Sequence, residues 1–340
     1  MNETMNVLTT CILVAAVSFW LSSDVLTVLR DCITETFSST TMPEPGTPRR
    51  SPQGTPYDDL PHIVNADGQH LFCRYWEPDV SPRALVFVAH GAGEHCGAYN
   101  DLAQPLTRHS LLLFAHDHVG HGQSEGERLN IKDFQIFIRD SLQHISIMRE
   151  RHPNLPLFII GHSMGGAISI LTACEGPQDL AGVALIAPMV QMNPESATPF
   201  KVFLAKMLNH MMPRLSLGTI QSKWVSRDPK QVEAYDADEL NYHGGMRVSF
   251  GMQLIEASNH IKRLIPDITW PFLLLHGDAD KLCDIGGSQL MYDQAKSSDK
   301  TLKIYDGAYH ALHHDLPDTA EATLKELTGW ILERLPAPSV

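Results

Sequence analysis

Between Leu157 and Ala173 the chain reads LFIIGHSMGGAISILTA, and the chemistry this stretch can carry centres on Ser163. The serine stands in Gly161-His162-Ser163-Met164-Gly165, a G-x-S-x-G spacing that lifts a hydroxyl onto a tight corner between strand and helix. Such a hydroxyl becomes a nucleophile when a neutral imidazole takes its proton, and the imidazole needs a carboxylate to hold its tautomer. Downstream, Asp278, Asp280 and Asp284 share one loop, and His310 is followed by His313 and His314. Position just past a strand ranks Ser163 as nucleophile, His310 as general base and then acid, and Asp280 as the orienting carboxylate. The neighbouring aspartates and histidines stay open as alternatives. A second glycine-rich stretch, His90-Gly91-Ala92-Gly93-Glu94-His95, allows close backbone approach, so Ala92 N–H and Met164 N–H are the expected oxyanion-hole donors. Hydrolysis by this set needs no metal and no cofactor.

These groups must be delivered by a sheet. Leu157–Ile160, Ala84–Ala89, Leu111–Ala115, Gly182–Ala187, Phe272–Leu275 and Leu302–Tyr305 are short apolar runs of the kind buried in a parallel sheet. Ile63-Val64 and Leu71–Tyr75 flank an Asp67-Gly68 turn. Helical spacing marks Ile131–Arg151 and Thr319–Leu335, and Gly165–Ala173 suits a helix packed on the sheet. Serine, acid and histidine follow in the order of the α/β-hydrolases. The fold class is therefore α/β: an α/β-hydrolase fold, mostly parallel, flanked by helices. From Pro188 to Trp270 the strand-helix alternation stops, which marks residues 189–270 as an inserted, mainly helical cap. Within it Phe200, Phe203, Leu204, Met207, Leu208, Met211 and Met212 form one apolar stripe. That stripe either packs on the cap core or, as helix 200–212, faces lipid at a pocket mouth.

Composition narrows the partners. Lys plus Arg number 26 against 39 Asp plus Glu, a net charge of −13, so nucleic acid is excluded as a natural partner. Six cysteines without a C-x-x-C, and 18 histidines without H-E-x-x-H, assign no metal and suit a reducing compartment. Val7–Ser23 is an uncharged run of 17 residues, short of the roughly 20 of a spanning helix. Residues 1–33 thus read as an apolar, membrane-associating leader, 34–56 as a flexible Ser/Thr/Pro linker, 57–335 as the folded body and 336–340 as a tail.

The motifs at 90–95, 114–126, 161–166, 193–197 and 301–305 together resemble the vertebrate monoacylglycerol lipases, over about Met42 to Leu335. The resemblance implies a serine hydrolase that splits monoacylglycerols, 2-arachidonoylglycerol included, into fatty acid and glycerol. It also implies an acyl-enzyme, the same triad and oxyanion pair, and a glycerol end bound near Glu94, Tyr235 and His313. A cytoplasmic-side, membrane-associated enzyme is expected. A lysophospholipase or general carboxylesterase is the competing enzyme reading, and a non-catalytic lipid-binding protein the competing binder. Tyr242 and Ser249 stand where the resemblance expects cysteines, and Ala98 where it expects an arginine.

Overall fold

The structure, a computed structural model, describes residues 49–176, 179–192, 208, 212, 215, 216 and 218–335. The leader, most of the linker, most of the 200–212 stripe and the tail lie outside the described residues. Eight strands form one sheet: β1 (His62–Val64), β2 (His70–Trp76), β3 (Ala84–Ala89), β4 (Leu111–His116), β5 (Leu157–His162), β6 (Leu180–Ile186), β7 (Phe272–Gly277) and β8 (Lys300–Tyr305). Their spatial order is β1-β2-β4-β3-β5-β6-β7-β8. The β1–β2 and β2–β4 pairs are antiparallel and every later pair is parallel. Each apolar run recognised in the sequence becomes a strand, with ends displaced by at most a residue or two.

β3 shows why uniformly apolar strands are needed. All six of its residues are buried, yet they alternate between two cores, one on each face of the sheet. Leu85, Phe87 and Ala89 join one core with Phe137 and Ile138 of α2 (Gln135–Arg151) and Ala167, Ile168 and Leu171 of α3 (Met164–Glu175). Ala84, Val86 and Val88 join the other with Leu102 and Leu106 of α1 (Asn100–Thr107) and Leu327 and Ile331 of α7 (Pro317–Leu332).

Two boundaries differ from expectation. Residues 49–56, read as linker, are docked on the body: Arg49 pairs with Glu125 at 2.7 Å, Gln53 donates to Gly122 O, and buried Tyr57 donates to Gln123 O at 2.7 Å. The segment read as cap holds α4 (Pro229–Ala237) and α5 (Val248–Leu264). α5 is no outlier helix, because its Phe250, Leu254, Ala257 and Ile261 enter the main core and Ser258 Oγ donates to Val190 O.

On the α2 face lies a nest of histidines, His90, His116, His118, His121 and His144, each at most 2% exposed. His116 and His144 approach Nδ1 to Nδ1 at 3.2 Å, and the His90 and His118 rings stand 4.2 Å apart. Burial disfavours their charged forms, holding His90 at about 4, His121 and His144 at about 3, and His116 and His118 well below the ordinary 6.5. The unfolded chain therefore binds more protons than the fold below about pH 6.5, and stability is lost as pH falls from there toward the folded values. Each histidine costs up to about 1.4 kcal/mol per pH unit, against a total stability of about 5–15 kcal/mol. Calorimetry near pH 5.5 is expected to show a lowered melting temperature with uptake of several protons on unfolding. A melting temperature flat between pH 7 and pH 5 would refute neutral burial of the nest.

Candidate active site

Ser163 follows the last residue of β5 and caps α3 with φ 56° and ψ −120°. That left-handed φ is strained for a residue with a Cβ. The flanking glycines make it possible. A Cβ on Gly161 would lie 2.3 Å from Ser169 Oγ and 2.4 Å from Gly165 O, and one on Gly165 would lie 2.0 Å from Ala89 O and 2.6 Å from His90 O. The first turn of α3 thus rests directly on the start of the 90–95 loop. This contact sets Ala92 and Met164 on the wall of one cavity with Ser163 and His310. Met164 is the first residue of α3, where N–H groups lack intrahelical partners and the helix field favours negative charge.

Of the three aspartates on the loop, Asp280 is the one that faces His310. His310 Nδ1 lies 2.7 Å from Asp280 Oδ2, and both side chains are at most 4% exposed. Asp280 Oδ1 accepts the Leu282 and Cys283 N–H groups at 2.7 and 3.1 Å. Across the carboxylate His276 Nε2 is 3.2 Å from Oδ2, while its Nδ1 meets Ser288 Oγ at 2.7 Å. Burial alone would raise the Asp280 pKa; the pull of His310, its hydrogen bond and the nearby His276 ring outweigh it and keep the group far below the usual carboxylate range. The other two aspartates are engaged elsewhere. Asp278 accepts Gly307 N–H at 2.6 Å, and Asp284 caps α6 (Ile285–Gln294) through Gly286 N–H and takes Gln191 Nε2.

The cavity has a volume of about 620 Å³, and apolar side chains such as Leu208, Ile220, Val248, Met252 and Leu254 line it. Glu94 and Tyr235 also line it. Glu94 Oε1 lies 3.0 Å from His162 Nδ1; burial opposes its charge, but His162 and His90 lower its pKa to about 2. Burial and the Glu94 and Asp236 carboxylates push the Tyr235 hydroxyl up. His313 stands beside His162 at the same end. It is not on the cavity wall but behind it, stacked on Tyr99 at 5.2 Å and edge-on to His162 at 4.9 Å. The short turn Leu312–His314 swings it inward.

Several contributors escaped sequence reasoning. His162, inside the serine motif, stands between Glu94 and His310, with ring centroids 4.8 Å apart from the latter. His276 was visible only as part of the acid loop. The Cys283 thiol shares the cavity wall with Ser163, and burial raises it well above its ordinary pKa. The segment read as cap is pinned to the 90–95 loop and to the loop after β8: His95 Nε2 to Asp238 Oδ2 at 2.8 Å, Tyr242 N–H to Gly93 O at 2.7 Å, and Ala311 N–H to Val225 O at 2.8 Å. At the positions where cysteines were expected, Tyr242 donates to Gly245 O and Ser249 to Asn130 Oδ1. Among the described residues no group of His, Cys, Asp and Glu is arranged to hold a metal.

Known proteins resemble this chain over most of its length. A family model described as "Serine aminopeptidase, S33" matches residues 80–317. Human monoglyceride lipase is 56% identical over 293 residues, covering 86% of this chain and 97% of the human protein. The rat enzyme of that name is 54% identical over 294 residues, with the same 86% and 97% coverage. The crystal structure of Paleococcus ferrophilus monoacylglycerol lipase is similar with a TM-score of 0.69 at 29% identity, over 78% of this chain and 99% of that one. A soluble variant of the Saccharomyces cerevisiae monoglyceride lipase shares the fold at a TM-score of 0.73 and 21% identity, over 87% and 100%. With its eight-stranded, mostly parallel sheet, its Ser-Asp-His order and this degree of identity over most of its length, the chain belongs to the monoglyceride lipase family of α/β-hydrolases.

Proposed function

We propose that this protein hydrolyses the ester bond of monoacylglycerols, 2-arachidonoylglycerol among them, through an acyl-enzyme on Ser163. The observation that carries the reading is the strained Ser163 on the same apolar cavity as His310, whose Nδ1 is held by Asp280. The acyl chain lies along the apolar wall. His310 Nε2 takes the Ser163 proton as Oγ attacks the ester carbon, and the carbonyl oxygen, now negative, is held by Ala92 and Met164 N–H. The intermediate collapses, His310 returns the proton to the leaving glycerol oxygen, and water then attacks the acyl-serine by the same route in reverse. The glycerol hydroxyls sit at the polar end beside Glu94 and Tyr235, with His313 supporting that end from behind.

The ionised Glu94 favours this substrate over a lysophospholipid, since a phosphate at the same end would meet a carboxylate at close range. A water-insoluble substrate reaches the cavity from a bilayer or micelle, and the 200–212 stripe and the 7–29 run supply apolar surface for a cytoplasmic-side membrane association. Leu208 lines the cavity, and with Met212 it also packs against Leu215, Val248 and Met252. The test is a substrate panel. Monoacylglycerols should be cleaved faster than di- or triacylglycerols and lysophosphatidylcholine of the same chain. Faster cleavage of lysophosphatidylcholine would overturn the reading.

A further inference from the structure

The oxyanion loop is held by a histidine that the reaction scheme above does not use. His90 is the first residue after β3 and is fully buried. Its Nδ1 lies 2.8 Å from Gly91 O, and its Nε2 lies 2.9 Å from His118 N. A backbone N–H only donates, so Nε2 is the acceptor for His118. Burial keeps the ring neutral, with its pKa at about 4, and a neutral imidazole carries one proton. That proton is on Nδ1, which therefore donates to Gly91 O.

The consequence follows from the covalent geometry of the chain. Gly91 C=O and Ala92 N–H are the two ends of one planar trans peptide and point in opposite directions. Holding the oxygen back into the protein turns the N–H outward. The ring has little freedom to release its grip, because the His118 ring is 4.2 Å away and His121 packs at 5.2 Å. Glu94 closes over the same peptide, since a Cβ on Gly91 would lie 2.1 Å from Glu94 Oε1 and would displace that carboxylate from His162. The far end of the loop is fixed separately, by Cys96 N–H on Asp117 Oδ1 at 2.8 Å.

We propose that His90 is a positioning residue for the oxyanion hole, its Nδ1–H···O=C Gly91 bond fixing the peptide plane that aims Ala92 N–H at the reacting carbonyl. This rests on the assignment of Ala92 as an oxyanion donor. Two substitutions separate the two ring nitrogens. His90→Asn keeps a donor near the position of Nδ1 and loses the acceptor for His118; His90→Gln keeps an acceptor near Nε2 and loses the donor to Gly91. On a short soluble ester His90→Gln is expected to lower kcat by about 100-fold with KM little changed, whereas His90→Asn stays within about 5-fold of the parent. Affinity for a trifluoromethyl ketone, whose serine adduct carries an oxyanion in the same place, should fall in parallel with kcat. A purely structural role would lower the melting temperatures of the two variants without this split. Equal kcat in the two variants, or a greater loss in His90→Asn, overturns the proposal. Where either variant does not fold, nitrogen NMR of the parent protein reads the tautomer directly: the proton on Nδ1 supports the proposal and on Nε2 refutes it. An ester in place of the Gly91–Ala92 amide, which removes only the N–H, tests the underlying assignment. Unchanged kcat there removes Ala92 from the oxyanion hole and takes the proposal with it. A loss there with none in His90→Gln leaves Ala92 in place and refutes the role of His90 alone.

Discussion

Ser163→Ala is expected to lower turnover of a monoacylglycerol by about 10^4-fold or more, with the fold and the melting temperature nearly unchanged. Alanine keeps the Cβ that already tolerates φ 56° and removes only the oxygen, so the turn, the first turn of α3 and the Gly165 contact with Ala89 all survive. What remains is binding plus the oxyanion donors, which on their own still accelerate ester hydrolysis over water. Steady-state kinetics on substrate in detergent micelles, with circular dichroism as the control for folding, measures this. Turnover within about 10-fold of the parent would remove Ser163 from the chemistry.

Asp280→Asn is expected to be nearly as severe, about 10^4-fold in kcat, and for a reason the hydrogen bonds make specific. An asparagine can keep its oxygen on the Leu282 and Cys283 N–H groups, as Asp280 Oδ1 does now. Its amide NH2 then faces His310 Nδ1 where a carboxylate oxygen stood at 2.7 Å. A donor there demands an acceptor, so the ring proton moves to Nε2, the nitrogen that must take the proton of Ser163. The loop is preserved and the base is lost. Asp278→Asn and Asp284→Asn should cost less than about 10-fold, because asparagine oxygen can still accept from Gly307 N–H or cap α6 through Gly286 N–H. Kinetics on the three variants side by side decide it, and a ranking with Asp278→Asn or Asp284→Asn as the worst would transfer the role.

The strands and the serine turn were legible because both are local. A run such as Ala84–Ala89 has no polar residue to place anywhere but in a sheet covered on two sides, and the glycines around Ser163 are the only residues the close contacts admit. The choice of acid was legible only as a ranking that put Asp280 first, since Asp278, Asp280 and Asp284 differ in which way a loop turns them. The side of the cavity wall on which His313 stands was open for the same reason: a short turn decides whether it lines the cavity or backs it. Residues 49–56 read as linker from their prolines, yet they are held by Arg49–Glu125 and Gln53–Gly122, partners about 70 residues away along the chain. No local pattern announces such a pairing. α5 was assigned to the cap because the strand-helix alternation had lapsed, although its apolar face closes the main core.

The strained backbone of Ser163 sets stability and selection against each other at a single residue. Holding a non-glycine residue at φ 56° costs on the order of 1–3 kcal/mol, a cost that glycine largely escapes. The substitution that would most readily relax the turn, Ser163→Gly, is therefore also one that abolishes the nucleophile. A lineage or a screen judged on thermal robustness alone would drift toward an inert, tighter protein. A serine held in this conformation therefore carries a backbone cost that thermal robustness alone would not retain.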